Sequence, residues 1–120
     1  MTAQNWMIGD WYQWYAECRY YPYQVKPEDF TKDYLANFEP IHLTPEILEK
    51  IGFIKVNSQR YDYGNPNTDC YIKVNPKKGM IHVNGRKANC NLYNHFFVHQ
   101  LQQAMRLCGL TDLANNFKLD

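Results

Sequence analysis

The sequence predicts an α+β fold: a small antiparallel sheet, largely a meander, with one short helix and one longer C-terminal helix packed on it. Three observations carry this. Residues 44–52 spell a short helix with both ends written in, residues 53–92 alternate strand signals with turn signals, and residues 94–108 carry an apolar stripe at helical spacing. At 120 residues the chain fits a single domain, 1–120, long enough to bury one core without disulfide staples.

The elements follow in chain order. Residues 7–15 and 20–25 are rich in Trp, Tyr, Ile and Val, which suit a pleated surface. Pro22 marks the second of these strands as an edge or irregular strand. Residues 26–29 form a turn, and residues 29–37 fit either a short helix or a strand. In HLTPEILEKIGF, Thr44 is placed to cap the helix, Pro45 occupies the first helical position and Glu46 complements the positive dipole end. Leu43 and Leu48 are spaced for a hydrophobic staple. Gly52 ends the helix and lets Phe53 fold back onto Leu48. Residues 53–56, 59–63, 70–74 and 80–83 read as strands of an antiparallel meander. NPKKG is a hairpin loop, and Asn84-Gly85 reads as a two-residue hairpin turn because both positions tolerate positive φ. In the helix at 94–108, Phe97, Leu101, Ala104, Met105 and Cys108 form the buried stripe, with His99, Gln100, Gln103 and Arg106 mostly on other faces. Gly109 ends it, and Thr111 can cap a last turn.

Charge and aromatics narrow the function classes. Residues 1–69 hold six Lys/Arg against ten Asp/Glu, whereas residues 70–111 hold six Lys/Arg and no acid. The acid-free half favours an anionic ligand, although charged turn residues are also what a solvated hairpin carries. In residues 11–23, WYQWYAECRYYPY, seven of thirteen are Trp or Tyr. If residues 11–15 are extended, Trp11, Gln13 and Tyr15 share one face and Tyr12 and Trp14 the other. One face joins the core. The other, taken to be that of Tyr12 and Trp14, needs a helix, a second subunit or a flat ligand over it. The candidate ligand-binding residues are therefore Tyr12, Trp14 and Tyr21 as stacking surface, with Lys77, Lys78, Arg86, Lys87, His99 and Arg106 as anion holders.

Catalytic and metal signatures are weak. His95 and His99 stand four apart, so on a helix they share a face, but Phe96 takes the place of the glutamate that a zinc protease needs there. Cys90 and His95 are a nucleophile pair on paper only, and no G-x-S-x-G elbow or glycine-rich phosphate loop occurs. No catalytic residue, cofactor or metal ligand is assigned. Cys18, Cys70, Cys90 and Cys108 contain no CxxC pair and read as reduced, buried thiols. No apolar run is long enough to span a bilayer and the N-terminus does not look like a secretory leader, so a cytoplasmic location is expected.

Three stretches resemble small phage and prophage accessory proteins of Bacteroides-type bacteria. MIGDW at residues 7–11 is similar to their opening strand, residues 40–53 follow their P-I-P-L-T-P-E-I-L-E-K-x-G-F motif with His42 in place of Pro, and residues 98–102 match their V-H-x-L-Q helix. The resemblance carries no activity with it. It implies a cytoplasmic accessory role, of the kind that antagonises host defence, in places by sequestering nucleotide-type immune signals. Together these readings lead to the expectation of a non-enzymatic protein that captures a small nucleotide-like anion. A module that inhibits a host or phage protein, a nucleic-acid binder and, last, a small hydrolase are the alternatives. Opposite-sign surfaces also suggest a homo-oligomer.

Overall fold

Strand pairing in the first forty residues follows from the Trp/Tyr pattern. Trp11–Ala16 (β1) and Arg19–Gln24 (β2) are antiparallel, and Glu39–Pro40 (β3) adds to the other side of β1. The order β2-β1-β3 leaves Pro22 on an edge strand, where its missing N–H breaks no inner ladder. The computed structural model describes residues 6–16, 19–31 and 39–119. The ambiguous stretch at 29–37 falls partly outside them; within them, Pro27–Thr31 is one 3-10 turn.

A second sheet, order β4-β5-β6-β7-β8, is antiparallel throughout: Ile54–Lys55 (β4), Tyr61–Gly64 (β5), Tyr71–Asn75 (β6), Met80–Asn84 (β7) and Asn89–Leu92 (β8). The sequence suggests one sheet; the chain builds two, because the N-terminal hairpin pairs with residues 39–40 and not with the meander. Ile72, Val74, Ile81 and Val83 alternate inward and are buried. Tyr71, Lys73, His82 and Asn84 therefore fall on the outer face.

The helix Val98–Leu107 (α2) touches both β1 and β7 and so joins the two sheets. Its Leu101, Ala104 and Met105, with Cys108 just beyond, share one core with Trp11 and the inner face of the larger sheet. The short helix Pro45–Lys50 (α1) forms as its ends dictate. Thr44 Oγ1 accepts the Ile47 N–H at 3.2 Å, Gly52 takes φ +105°, and the Phe53 N–H closes back on the Leu48 carbonyl at 2.9 Å. Thr111–Asn115 (α3) follows, with Leu110 and not Thr111 at the capping position.

Several boundaries differ from the sequence reading, each for a local reason. β1 begins at Trp11 because residues 7–10 make a turn, closed by the Asp10 carboxylate on the Met7 N–H and by Gly9 at φ +91°. α2 begins at Val98 and not near residue 94. Asn94 has φ +59°, and Phe97 bridges His42 in extended conformation, so this segment is held by strand-like bonds to residues 41–43. Gln100 Oε1 then accepts both the Phe96 and Phe97 N–H groups at the helix start. Asn84-Gly85 is not a two-residue turn. Asn84 still pairs with Asn89, and the turn closes from the Gly85 N–H to the Ala88 carbonyl. Gly85 is needed for close approach: a Cβ there would lie 2.2 Å from the Cys108 carbonyl oxygen.

Candidate functional site

The outer face of the larger sheet carries a groove in which polar side chains stand on a mostly apolar surface. Register aligns Asp62, Lys73, His82 and Asn91 across β5, β6, β7 and β8. Period-two alternation then puts Tyr71, Asn75 and Asn84 on the same face. The groove is about 360 Å³ and includes Arg60, Lys73, Asn75, His82, Asn91 and Tyr93 in its lining. Tyr93 is 62 % exposed and Met80 39 % exposed, so two apolar side chains stand open at its border.

Charges on this floor are unevenly matched. Arg60 grips Asp62 through two bonds of 3.0 and 3.2 Å, and the Tyr71 hydroxyl donates to the same carboxylate at 2.6 Å. That bond to Asp62 is the main reason the Tyr71 hydroxyl is pushed above its ordinary pKa. Lys73 pairs with no carboxylate among the described residues; its Nζ stands 5.9 Å from the Tyr71 ring. His82 Nδ1 is held by Asn91 Oδ1. The arrangement presents a cation, an imidazole and several amides to anything lying across the strands.

The residues singled out from sequence do not form one site. Tyr12, Trp14 and Tyr21 come together, with Tyr23, around a separate cavity on the N-terminal hairpin. Lys77 and Lys78 are exposed in the β6–β7 turn, next to Asn75 and Met80 at one end of the sheet groove. Arg86 and Lys87 are exposed in the β7–β8 turn, at the far end of β7. Strand rise puts the two turns roughly 14 Å apart. The Lys87 N–H is also spent on the Cys108 carbonyl at 2.9 Å.

Arg106 and His99 serve the interior. Arg106 is ion-paired with the fully buried Asp10, and its Nε donates to Asn115 Oδ1 at 3.1 Å. Two of its nitrogens are therefore committed to Asp10 and Asn115, while Nη2 is buried without a hydrogen-bond partner among the described residues. His99 is 3 % exposed with its ring 4.6 Å from that of Trp6, and burial lowers its pKa. Its Nδ1 has no hydrogen-bond partner among the described residues. His95 precedes α2, so the shared helix face of a two-His site does not arise; its Nδ1 meets the Tyr93 carbonyl at 2.7 Å. Cys90 lies against Cys108, whose thiol is pushed up to about 12, first by burial and then by this neighbour. Cys108 is thereby an inert core thiol, and Cys90 stands half-buried beside it.

Arg60, His82, Asn91 and Tyr93 were not singled out from the sequence. Each comes from a different strand or turn, and only register brings them together. Lys73 was visible as one member of the acid-free segment. Among the described residues no group of three or more His, Cys, Asp or Glu is placed to hold a metal ion, and no helix is long and apolar enough to cross a membrane. No protein-family model matches the chain, and neither the curated proteins nor the solved structures contain a match.

Proposed function

We propose that the protein binds, without turning it over, a small nucleotide-like anion in the groove across β5–β8. The observation that carries this reading is Lys73 without an acid partner on a floor of His82, Asn75 and Asn91, bordered by the exposed Tyr93 ring. Lys73 and Arg60 suit a phosphate, the amides suit the polar edge of a base, and Tyr93 with Met80 suits its flat faces. Arg60 would exchange part of its grip on Asp62 for the phosphate. Lys77 and Lys78 in the adjoining turn add positive potential at the groove mouth.

Support for binding over catalysis lies in the lining itself. Its described residues hold one imidazole, already held by Asn91, and no serine or cysteine, and the neighbouring Asp62 carboxylate is taken up by Arg60 and Tyr71. An accessory protein of the phage type would use such a groove to withdraw a nucleotide signal from circulation, in the host cytoplasm. A thermal-shift screen tests this, with mono-, di- and cyclic nucleotides and orthophosphate as the control. Saturating ligand stabilises a binder by about 2.7 kcal/mol at a hundredfold excess over Kd, which is a Tm rise of several degrees. Unchanged Tm across the whole panel would remove the proposal.

A further inference from the structure

We propose a second site on the β1–β2 hairpin, built to take a methylated ammonium group. The register sets Tyr12 opposite Tyr23 and Trp14 opposite Tyr21, so two adjacent cross-strand pairs place four aromatic rings on one face. The Tyr12 and Tyr23 rings lie 5.4 Å apart, centre to centre, tilted by 46°. Together with Asp29 from the 3-10 turn, these rings line a cavity of about 320 Å³, with Tyr12 at its back, buried against Val25, and Trp14, Tyr21 and Tyr23 as its more open walls. Asp29 is 4 % exposed, and its Oδ2 accepts the Lys26 N–H at 2.8 Å, which fixes the carboxylate at the cavity wall.

Ring faces carry negative quadrupole density and draw cations. The hairpin already does so with the chain's own cations. The Arg19 guanidinium stands 4.6 Å from the centre of the Tyr21 ring, and Lys26 Nζ 5.3 Å from that of Tyr23. A buried carboxylate among aromatic walls repels phosphate, so the nucleotide-like anion belongs elsewhere. A bare ammonium would have to give up strong hydration that ring faces do not replace. A trimethylammonium group carries diffuse charge on apolar methyls, and it would displace the exposed Arg19 and Lys26 side chains from the Tyr21 and Tyr23 rings.

Calorimetric titration of the full chain tests this with two ligands of one shape: choline, and 3,3-dimethyl-1-butanol, in which carbon replaces the charged nitrogen. Choline is expected to bind at least about tenfold tighter. In a parallel NMR titration the Trp14 indole N–H should move, while that of Trp11, tied to the Phe117 carbonyl at 2.9 Å, stays. Asp29→Asn keeps an acceptor for Lys26 and should erase most of the preference for choline. Equal affinity for the two ligands, no binding of either, or an unmoved Trp14 signal would overturn the proposal. Co-sedimentation with phosphatidylcholine but not phosphatidylglycerol vesicles would assign the group to a lipid headgroup; choline binding without co-sedimentation would assign it to a free solute. Failure here leaves the sheet groove intact, since that groove is read through Lys73.

Discussion

Gln102 ties three distant parts of the chain with one side chain. Its Oε1 accepts the Trp11 N–H, and its Nε2 donates to the Gly9 and Ala114 carbonyls, each at 2.8 Å and fully buried. Gln102→Leu keeps the volume and strands all three backbone groups. A loss of about 3 kcal/mol is expected, measured by urea unfolding. The sequence gives no hint of this role, because a glutamine in a polar-faced helix reads as solvated and its first partner lies ninety-one positions away. The same holds for Arg106, whose charge looks available until Asp10 is found beneath it. His99 shows the cost of burial in its titration. The unfolded chain takes up a proton near pH 6.5, whereas the folded ring, its pKa lowered mainly by burial, resists it. The unfolded state therefore binds more protons below that pH, and stability falls as pH drops from about 6.5 toward the folded pKa. Melting curves between pH 7 and 5 should show this decline, and His99→Leu should flatten part of it; an identical decline in the variant would contradict the assignment.

Elements whose ends are chemically specified were legible before the structure. α1 forms where Thr44, Pro45 and Gly52 place it, and the meander's strands fall within a residue or two of their turn signals. Elements that depend on tertiary partners were not. The start of α2 moves to Val98 because residues 96–98 bond to residues 41–43, a contact without a local signal. Two separated stretches of the sequence meet here. Gly9, Asp10 and Trp11 bond to Gln102, Gln103 and Arg106, so MIGDW and the VHQLQ helix hold each other. Turn glycines at this scale carry distinct loads. Gly64 has φ +83°, and a Cβ there would lie 1.9 Å from the Cys70 carbonyl oxygen, part of the hydrogen-bonded backbone. Gly64→Ala should cost at least about 2 kcal/mol, seen as a lower urea midpoint with an unchanged slope. A change within about 0.5 kcal/mol, the range of an ordinary surface substitution, would show that the turn can relax.

Across the whole molecule, the split in charge seen in the sequence acquires a location. The acid-free residues 70–111 supply β6–β8, whose outer face and turns carry Lys73, Lys77, Lys78, Arg86 and Lys87. The aromatic excess belongs to a different sheet, with Asp29 and not a lysine in its cavity. Composition alone joins these features into one aromatic, basic pocket; topology separates them onto two sheets. The groove itself was unreadable because four strands must be in register before Lys73, His82 and Asn91 stand side by side. The most direct measurement is calorimetric titration of the nucleotide that gives the greatest thermal shift into the wild-type chain and Lys73→Glu, with Arg86→Glu as a control of equal charge change at the far turn. Saturable binding at one ligand per chain, weakened at least about tenfold by Lys73→Glu and little by Arg86→Glu, is the predicted result. Equal weakening by the two variants, or none by either, would contradict a site in the groove.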